Sequence, residues 1–295
     1  MDINFEYYKI FYFVGKYGSF TQAARILHNN QPNITRIINN LESELGCRLF
    51  FRSKKGVAFT PEGKELFAHV EAAYHQIMIG ESEMLSVKGL QKGHISIAIS
   101  EIALHEFMLP VIQSFKSDYP NIRIQLLNQS TPQSIKAVET GSVELAVVST
   151  PAEISEELEM TVLHTFQEIL VAGKYYKDLA PRMLHLNELQ NYPLITLGHS
   201  SGSYAFLNTI FLEHGLYLES SVEAATTDQI LPMVAHDIGI AFVPESFADH
   251  FSDRDRIFPL RLKEEIPARN ICLIQDKSRP LSMAAAALRN KILNA

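Results

Sequence analysis

The sequence predicts an α/β protein that begins with a small all-α head carrying a β wing, followed by one long helix. Three observations lead there. Two short helical patterns with a tight polar break occupy residues 19–45. A heptad-spaced apolar stripe then runs from Leu66 to Val87. From His94 onward, short β-branched runs alternate with helical patterns, the signature of a sheet flanked by helices.

Residues 3–17 read as an aromatic helix, with Phe5, Tyr8, Phe11, Tyr12 and Phe13 at helical spacings that suit core packing. Ser19 is placed to cap the next helix, Phe20–Leu27, whose Ala23, Ala24 and Leu27 form a small apolar face open to close crossing by another helix. After the His28-Asn29-Asn30 break, a helix opens at Gln31-Pro32, where proline's missing N–H has no helical partner anyway. At about 100° per residue, Ile34, Ile38, Leu41 and Leu45 fall on one side with Ile37 at its edge. Pro32, Thr35, Arg36 and Asn39 fall on the other, beside Gln31 and Asn33 at the helix start. That outer face offers guanidinium, amide and hydroxyl groups and no carboxylate, the set that reads base edges in a major groove. Gly46 stops the helix. Short β-like runs then flank Lys54-Lys55-Gly56, a basic wing turn that places Arg52, Lys54 and Lys55 on phosphates.

The residues from Phe13 through Gly18-Ser19-Phe20-Thr21, Ala23-Ala24, Leu27, Gln31-Pro32, Thr35, Ile38, Leu41-Glu42, Leu45-Gly46, Leu49-Phe50, Arg52, Thr60 and Gly63 form a long, ordered signature. It resembles the N-terminal domain of LysR-type transcriptional regulators. Three positions depart from the family pattern. Asn30 stands where serine is frequent, Thr35 keeps the hydroxyl of the usual serine, and Asn33 replaces a small residue.

Composition fits a chain of two or more domains with substantial cores: 295 residues, 46% of them hydrophobic. The net charge is −7, yet residues 1–65 carry 9 Lys+Arg against 6 Asp+Glu, a net of +3. A basic head on an acidic body suits contact with DNA through one domain only. The two cysteines, Cys47 and Cys272, lie far apart, and the 11 histidines are scattered, so neither a disulfide nor a metal site is expected. No cofactor motif is present. The N-terminus lacks an apolar signal segment, and the longest uncharged run, Leu189–Leu212, is broken by Pro193 and a Gly/Ser cluster. The expected setting is the cytoplasm, away from membranes.

Thr60-Pro61-Glu62-Gly63 starts a long helix expected to reach about Lys88. Leu66, Val70, Ala73, Ile77, Gly80, Met84 and Val87 follow a 4-3 spacing, read as a seam between two copies of the chain. The helix is expected to have little of its own chain to lie against, and the resemblance implies the same dimerising role. The GLQKG run, Gly89 to Gly93, marks the next boundary.

Beyond it, strands are expected at His94–Ser100, Ile122–Leu127, Val143–Ser149, Thr161–His164, Ile169–Ala172, Leu194–Leu197, Val222–Ala225, Ile238–Val243 and Asn270–Gln275. Helices are expected at Glu101–Tyr119, Gln133–Thr140, Ser203–His214, Asp228–His236 and Leu281–Leu293. The alternation argues for mostly parallel sheets. The resemblance extends here through the Phe115…Tyr119-Pro120 run, Gly141-Ser-Val-Glu-Leu-Ala and Gly239-Ile-Ala-Phe-Val-Pro244. It implies three parts: residues 1–60 as a winged helix-turn-helix, 61–90 as a linker and dimerisation helix, and 91–295 as a two-lobed, periplasmic-binding-protein-like effector domain. Lobe I would span about 91–162 and 267–295, and lobe II about 163–266.

In such sheets ligands bind at the carboxyl ends of strands, where helix starts offer N–H groups to anions. Ser100, Ser130-Thr131, Ser149-Thr150 and His199-Ser200-Ser201 all follow strands, and in the family such positions line the effector cleft. The expected ligand is a small metabolite bearing a carboxylate. A rival reading takes Gly198-His-Ser-Ser-Gly202 as a nucleophile elbow, with Ser200 served by Asp228 or Asp237 and His236 or His250. The chain has no Gly-Gly pair for an oxyanion loop, and a hydrolase gives no reason for the basic head. A second alternative is a DNA-binding repressor with no effector. The leading expectation is a LysR-type regulator, not an enzyme: a homodimer or homotetramer on double-stranded DNA with an inverted-repeat operator, answering to a small-molecule effector and contacting RNA polymerase.

Overall fold

A computed structural model of the chain describes residues 3–53, 56–85 and 93–295. Lys54, Lys55, Val87, Lys88 and most of the GLQKG boundary lie outside the described residues, as does the side chain of Met84. The chain divides into two compact units.

In the first unit, α1 (Phe5–Tyr17) starts at Asn4, whose side chain accepts the Glu6 N–H, and ends at Gly18 with φ 59°. Ser19 caps α2 (Phe20–Ile26) by accepting the Gln22 N–H. Asn30 caps α3 (Gln31–Leu45) by accepting the Asn33 N–H, and Gly46 ends it in the left-handed region at φ 73°. Each cap satisfies a donor that the first helical turn leaves without a partner. The wing is an antiparallel pair, β1 (Phe50–Ser53) and β2 (Gly56–Phe59), with Phe50 opposite Phe59. The long helix α4 (Pro61–Leu85) follows, its Gly63 N–H bonded to the Thr60 hydroxyl.

Ile10, Phe11 and Val14 pack with Phe20, Ala23, Ala24, Ile34, Ile38 and Leu41 into one core closed by Leu49 and Phe50. Phe11 and Tyr12 are buried as expected, Tyr8 and Phe13 half so, whereas Phe5 is 58% exposed because it occupies the first helical position, beyond the core. α4 has more of its own chain beside it than expected. Leu66, Phe67 and Val70 pack on the head's core, and Tyr74 stacks on Tyr12 at 4.4 Å. Ala73 and Ile77, farther along, are exposed.

The second unit opens with β3 (Gly93–Ile99) and a helix in three parts: α5 (Glu101–Ala103), a π turn (Leu104–Met108) and α6 (Leu109–Asp118). Then come β4 (Ile122–Asn128), α7 (Thr131–Glu139), β5 (Leu145–Ser149), β6 (Leu158–Phe166) and β7 (Glu168–Gly173). They are followed by β8 (Met183–Leu184), β9 (Leu194–Leu197), α8 (Gly202–Glu213), β10 (Val222–Ala224) and α9 (Ile230–Ala235). The chain finishes with β11 (Ile240–Pro244), α10 (Glu245–Asp249), β12 (Ile257–Leu262), β13 (Arg269–Asp276) and α11 (Met283–Leu293).

Two sheets result, ordered β4-β3-β5-β13-β6 and β10-β9-β11-β7-β12-β8. They are mixed rather than mostly parallel. β13 runs antiparallel to β5 and β6, and β7 antiparallel to β11 and β12, because the chain passes between lobes and re-enters each sheet reversed. β6 stays in the first sheet through Phe166, so lobe I runs past residue 162 and the first crossing falls at Gln167. The return crossing lies between Leu262 and Arg269. Each lobe has its own apolar core, around Phe115, Leu145 and Leu288 in lobe I and around Leu170, Phe211 and Phe242 in lobe II.

Candidate functional site

On α3, Gln31, Pro32, Arg36 and Asn39 are exposed, and Asn33 and Thr35 are half-buried. Neighbours hold these side chains. Arg36 donates to Asn33 Oδ1 at 2.8 Å, and Thr21 donates to Gln31 Oε1 at 3.3 Å. Arg52 on the wing donates to Asn39 Oδ1 at 2.5 Å while its guanidinium lies 4.7 Å from the Phe20 ring centre. Holding a long cation in place before contact reduces the entropy lost on binding.

Glu42, one turn beyond Ile38, is only 5% exposed. Its carboxylate accepts the Leu49 N–H at 2.8 Å, the Phe50 N–H at 3.3 Å and Arg48 Nη1 at 2.9 Å. It thereby ties the start of the wing to α3 and keeps its charge off the outer face. Sequence reading missed this brace. The signal was an acid at a core-facing position of α3, followed by Arg48 and Arg52.

In the second unit a cavity of about 400 Å³ opens where strand ends from both lobes meet. Six of the eight residues expected there line it: Ser100, Ser130, Thr131, Ser149, Ser200 and Ser201. Ser100 follows β3 and accepts the Ala103 N–H at 3.3 Å. Ser130 and Thr131 join β4 to α7, and the Thr131 hydroxyl donates to the Ser149 carbonyl at 3.0 Å. Ser201 follows β9 and caps α8 by accepting the Tyr204 N–H at 3.1 Å. A Cβ on Gly202 would sit 3.4 Å from Thr131 Oγ1, so the lobes approach closely here.

His199 and Thr150 do not line the cavity. His199 is turned outward, 69% exposed, with Nε2 3.2 Å from Glu223. Thr150 directly follows Ser149, and consecutive residues of an extended chain face opposite sides. Its hydroxyl accepts the Asn270 N–H at 2.9 Å.

Sequence reading also missed Glu101, Thr226 and Thr227 in the lining, and Arg269 behind it. Arg269 is 1% exposed and ion-paired with the equally buried Glu168. Its guanidinium donates to the Thr150 carbonyl at 2.7 Å, to Ser203 Oγ at 3.0 Å and to Ser149 Oγ at 3.1 Å. Arginine only donates, so both serine hydroxyls must accept from it, and each keeps its own hydrogen for another acceptor. Because Ser149 and Ser203 line the cavity, this buried cation predisposes them to donate to a ligand.

The elbow-like Gly198–Gly202 turn lacks the expected catalytic partners. His236 and His250 place Nδ1 2.7 Å from the Pro232 and Ser246 carbonyls of their own helical turns. Asp237 accepts the Tyr175 N–H at 2.7 Å, and Asp228 accepts the Thr226 hydroxyl. Ser200 itself is exposed. Cys272 is buried, which pushes its thiol up from the ordinary range, away from the reactive thiolate. Cys47 is half-buried and unbridged.

A winged helix-turn-helix in a chain that also carries a two-lobed ligand-binding domain defines a ligand-responsive DNA-binding regulator. Comparison with known proteins specifies the family. The model for "LysR substrate binding domain" matches residues 88–295, and that for "Bacterial regulatory helix-turn-helix protein, lysR family" matches residues 5–64. The chain belongs to the LysR family of bacterial transcriptional regulators, DNA-binding proteins rather than enzymes.

Among its relatives, the HTH-type transcriptional regulator YofA of Bacillus velezensis is 26% identical over 96% of this chain and 95% of its own. The transcriptional activator protein LysR of Escherichia coli is 24% identical over 82% of this chain and 77% of its own. The crystal structure of CbnR, a LysR family transcriptional regulator, shares the fold with a TM-score of 0.72 at 18% identity, covering 99% of this chain and 98% of that one. Full-length CbnR complexed with its target DNA gives 0.70 at the same identity, covering 99% of each chain. Among the described residues no helix is long and apolar enough to cross a membrane.

Proposed function

We propose that two copies of this chain pair through α4, along a seam of the exposed Ala73 and Ile77 that continues to Met84, and present two heads to an inverted-repeat operator. Leu66 and Val70, half-buried against the head, set the direction in which that seam leaves it. Gln31, Pro32, Asn33, Thr35, Arg36 and Asn39 enter the major groove, and Arg52, Lys54 and Lys55 lie on phosphates. Assembly as a dimer or a dimer of dimers in the cytoplasm, with RNA polymerase as a further partner, follows the family pattern.

The effector is a small acidic metabolite held in the cavity between the lobes. One observation supports this most directly: Arg269 makes acceptors of the Ser149 and Ser203 oxygens, which leaves their hydrogens for a carboxylate. The first turns of α7 and α8, which open beside the cavity, suit the same charge. The effector acts by population shift, favouring the assembly to which it binds better.

The test is fluorescence anisotropy on the intergenic DNA upstream of the gene and on unrelated DNA, across a salt series. Arg36→Ala is expected to abolish most of the preference for the operator, a loss of about 1–3 kcal/mol of discrimination for one bidentate base contact. Equal, steeply salt-dependent binding of both DNAs by the unaltered protein would reduce the interaction to phosphate attraction and overturn the reading.

A further inference from the structure

The first helix of lobe I reaches across the cleft at two points. Glu101 lines the cavity, and its carboxylate accepts the Thr227 N–H at 2.7 Å and the Asp228 N–H at 3.0 Å, both from lobe II. Five residues on, the Glu106 carboxylate accepts the Ser246 hydroxyl of α10, with the neighbouring His105 ring 5.4 Å from Phe247. Glu106 lies within the π turn, in which Leu109 N–H bonds to Leu104 O. π turns recur at functional sites.

Glu101 is also the only charged residue lining the cavity among the described residues. Its hydrogen bonds to two backbone N–H groups are of the charge-assisted kind. A turn such as 227–229 is ordinarily capped by a residue beside it, yet here the acceptor lies more than a hundred positions away, on the other lobe. We propose that Glu101 is an internal carboxylate latch: it closes the cleft without effector, and an acidic effector takes the Thr227 and Asp228 N–H groups in its place. The exchange rests on the reading of this cavity as the effector site; the latch does not.

Hydrogen–deuterium exchange of the full-length protein tests the latch without any ligand. In Glu101→Gln, amides 227 and 228 are expected to exchange about tenfold faster, the scale set by losing one charge-assisted bond. Segments 128–133 and 198–203 face the cavity from opposite lobes, and they are expected to speed up severalfold as the cleft opens. Glu101→Asp keeps the charge but is one methylene short, and gives the same pattern if the glutamine variant folds poorly. Faster exchange at 227 and 228 alone, in both variants, would reduce Glu101 to a local cap and overturn the latch.

Succinate is the probe for the carboxylate exchange. It is expected to raise the melting temperature of Glu101→Gln more than that of the unaltered protein, because the competing internal anion is gone. An equal shift in both, including none, overturns the exchange while leaving the latch to stand or fall on the amide data.

Discussion

The head and the effector domain solve the same problem, aiming polar groups at a partner, with opposite use of the chain. The face proposed to read DNA comes from Gln31 to Asn39 with Arg52 added by the wing, all within 22 residues and held by caps and neighbouring side chains. The cleft is assembled from Ser100, Thr131, Ser149, Ser201, Thr227 and the hidden Arg269, drawn from most of the domain's length. A local site is stabilised by many small terms. A dispersed one depends on a few buried groups that reach across the fold, so single substitutions should act more severely in the cleft than in the head.

Arg269→Met is the strongest attempt to break that contrast. It strands Glu168, 2% exposed at its side chain, without its cation, and frees Ser149 Oγ and Ser203 Oγ. Removing one partner of a buried ion pair costs about 3–5 kcal/mol. Denaturant unfolding of the effector domain should show a loss of that size, with the transition of the head unmoved. A loss below about 1 kcal/mol, the scale of an exposed ion pair, would mean that the cleft is no more fragile than the head.

The same contrast explains what could be read from the chain. Helices α1 to α4 announced themselves through Ser19 and Thr60 as caps, Gly18 and Gly46 as stops, and a clean apolar face on α3. β9, between its turn residues, fell where its run of Leu and Ile placed it. β12 was missed because Pro259 sits inside it, and proline cannot donate to a ladder. The π turn within Leu104–Met108 has no sequence signature that separates it from ordinary helix. Six cavity residues were legible because strand ends and Ser/Thr caps are local features. Arg269 and Glu101 were not, since their importance lies in partners a hundred positions distant.

Gly63→Ala tests the head from the other side. A Cβ there would lie 2.0 Å from the Leu49 carbonyl oxygen, so α4 and the start of the wing must part. Overpacking of this kind costs about 1–3 kcal/mol. The displaced strand carries Arg52, so operator affinity should fall along with the melting temperature. A variant that unfolds more easily yet binds its operator with unchanged affinity would show that the wing's position matters little to the reading of DNA.

The smallest effect expected is also the most discriminating for the cleft. Ser100 has two roles that its position makes inseparable by inspection: its oxygen caps the helix that begins at Glu101, and it lines the cavity. Loss of a serine cap to alanine costs about 1 kcal/mol. Ser100→Ala should therefore lower stability by that amount, and so should Ser201→Ala, which removes the cap of α8. Replacement by asparagine or aspartate keeps a capping oxygen at either place. If Ser100→Asp restores stability while weakening the response to an acidic ligand, the cavity role is separate from the cap. The added negative charge at the cavity wall repels such a ligand without disturbing the helix start. Equal ligand response in the serine and aspartate proteins would leave Ser100 a cap alone, and the cleft's polarity would then rest on the hydroxyls that Arg269 orients.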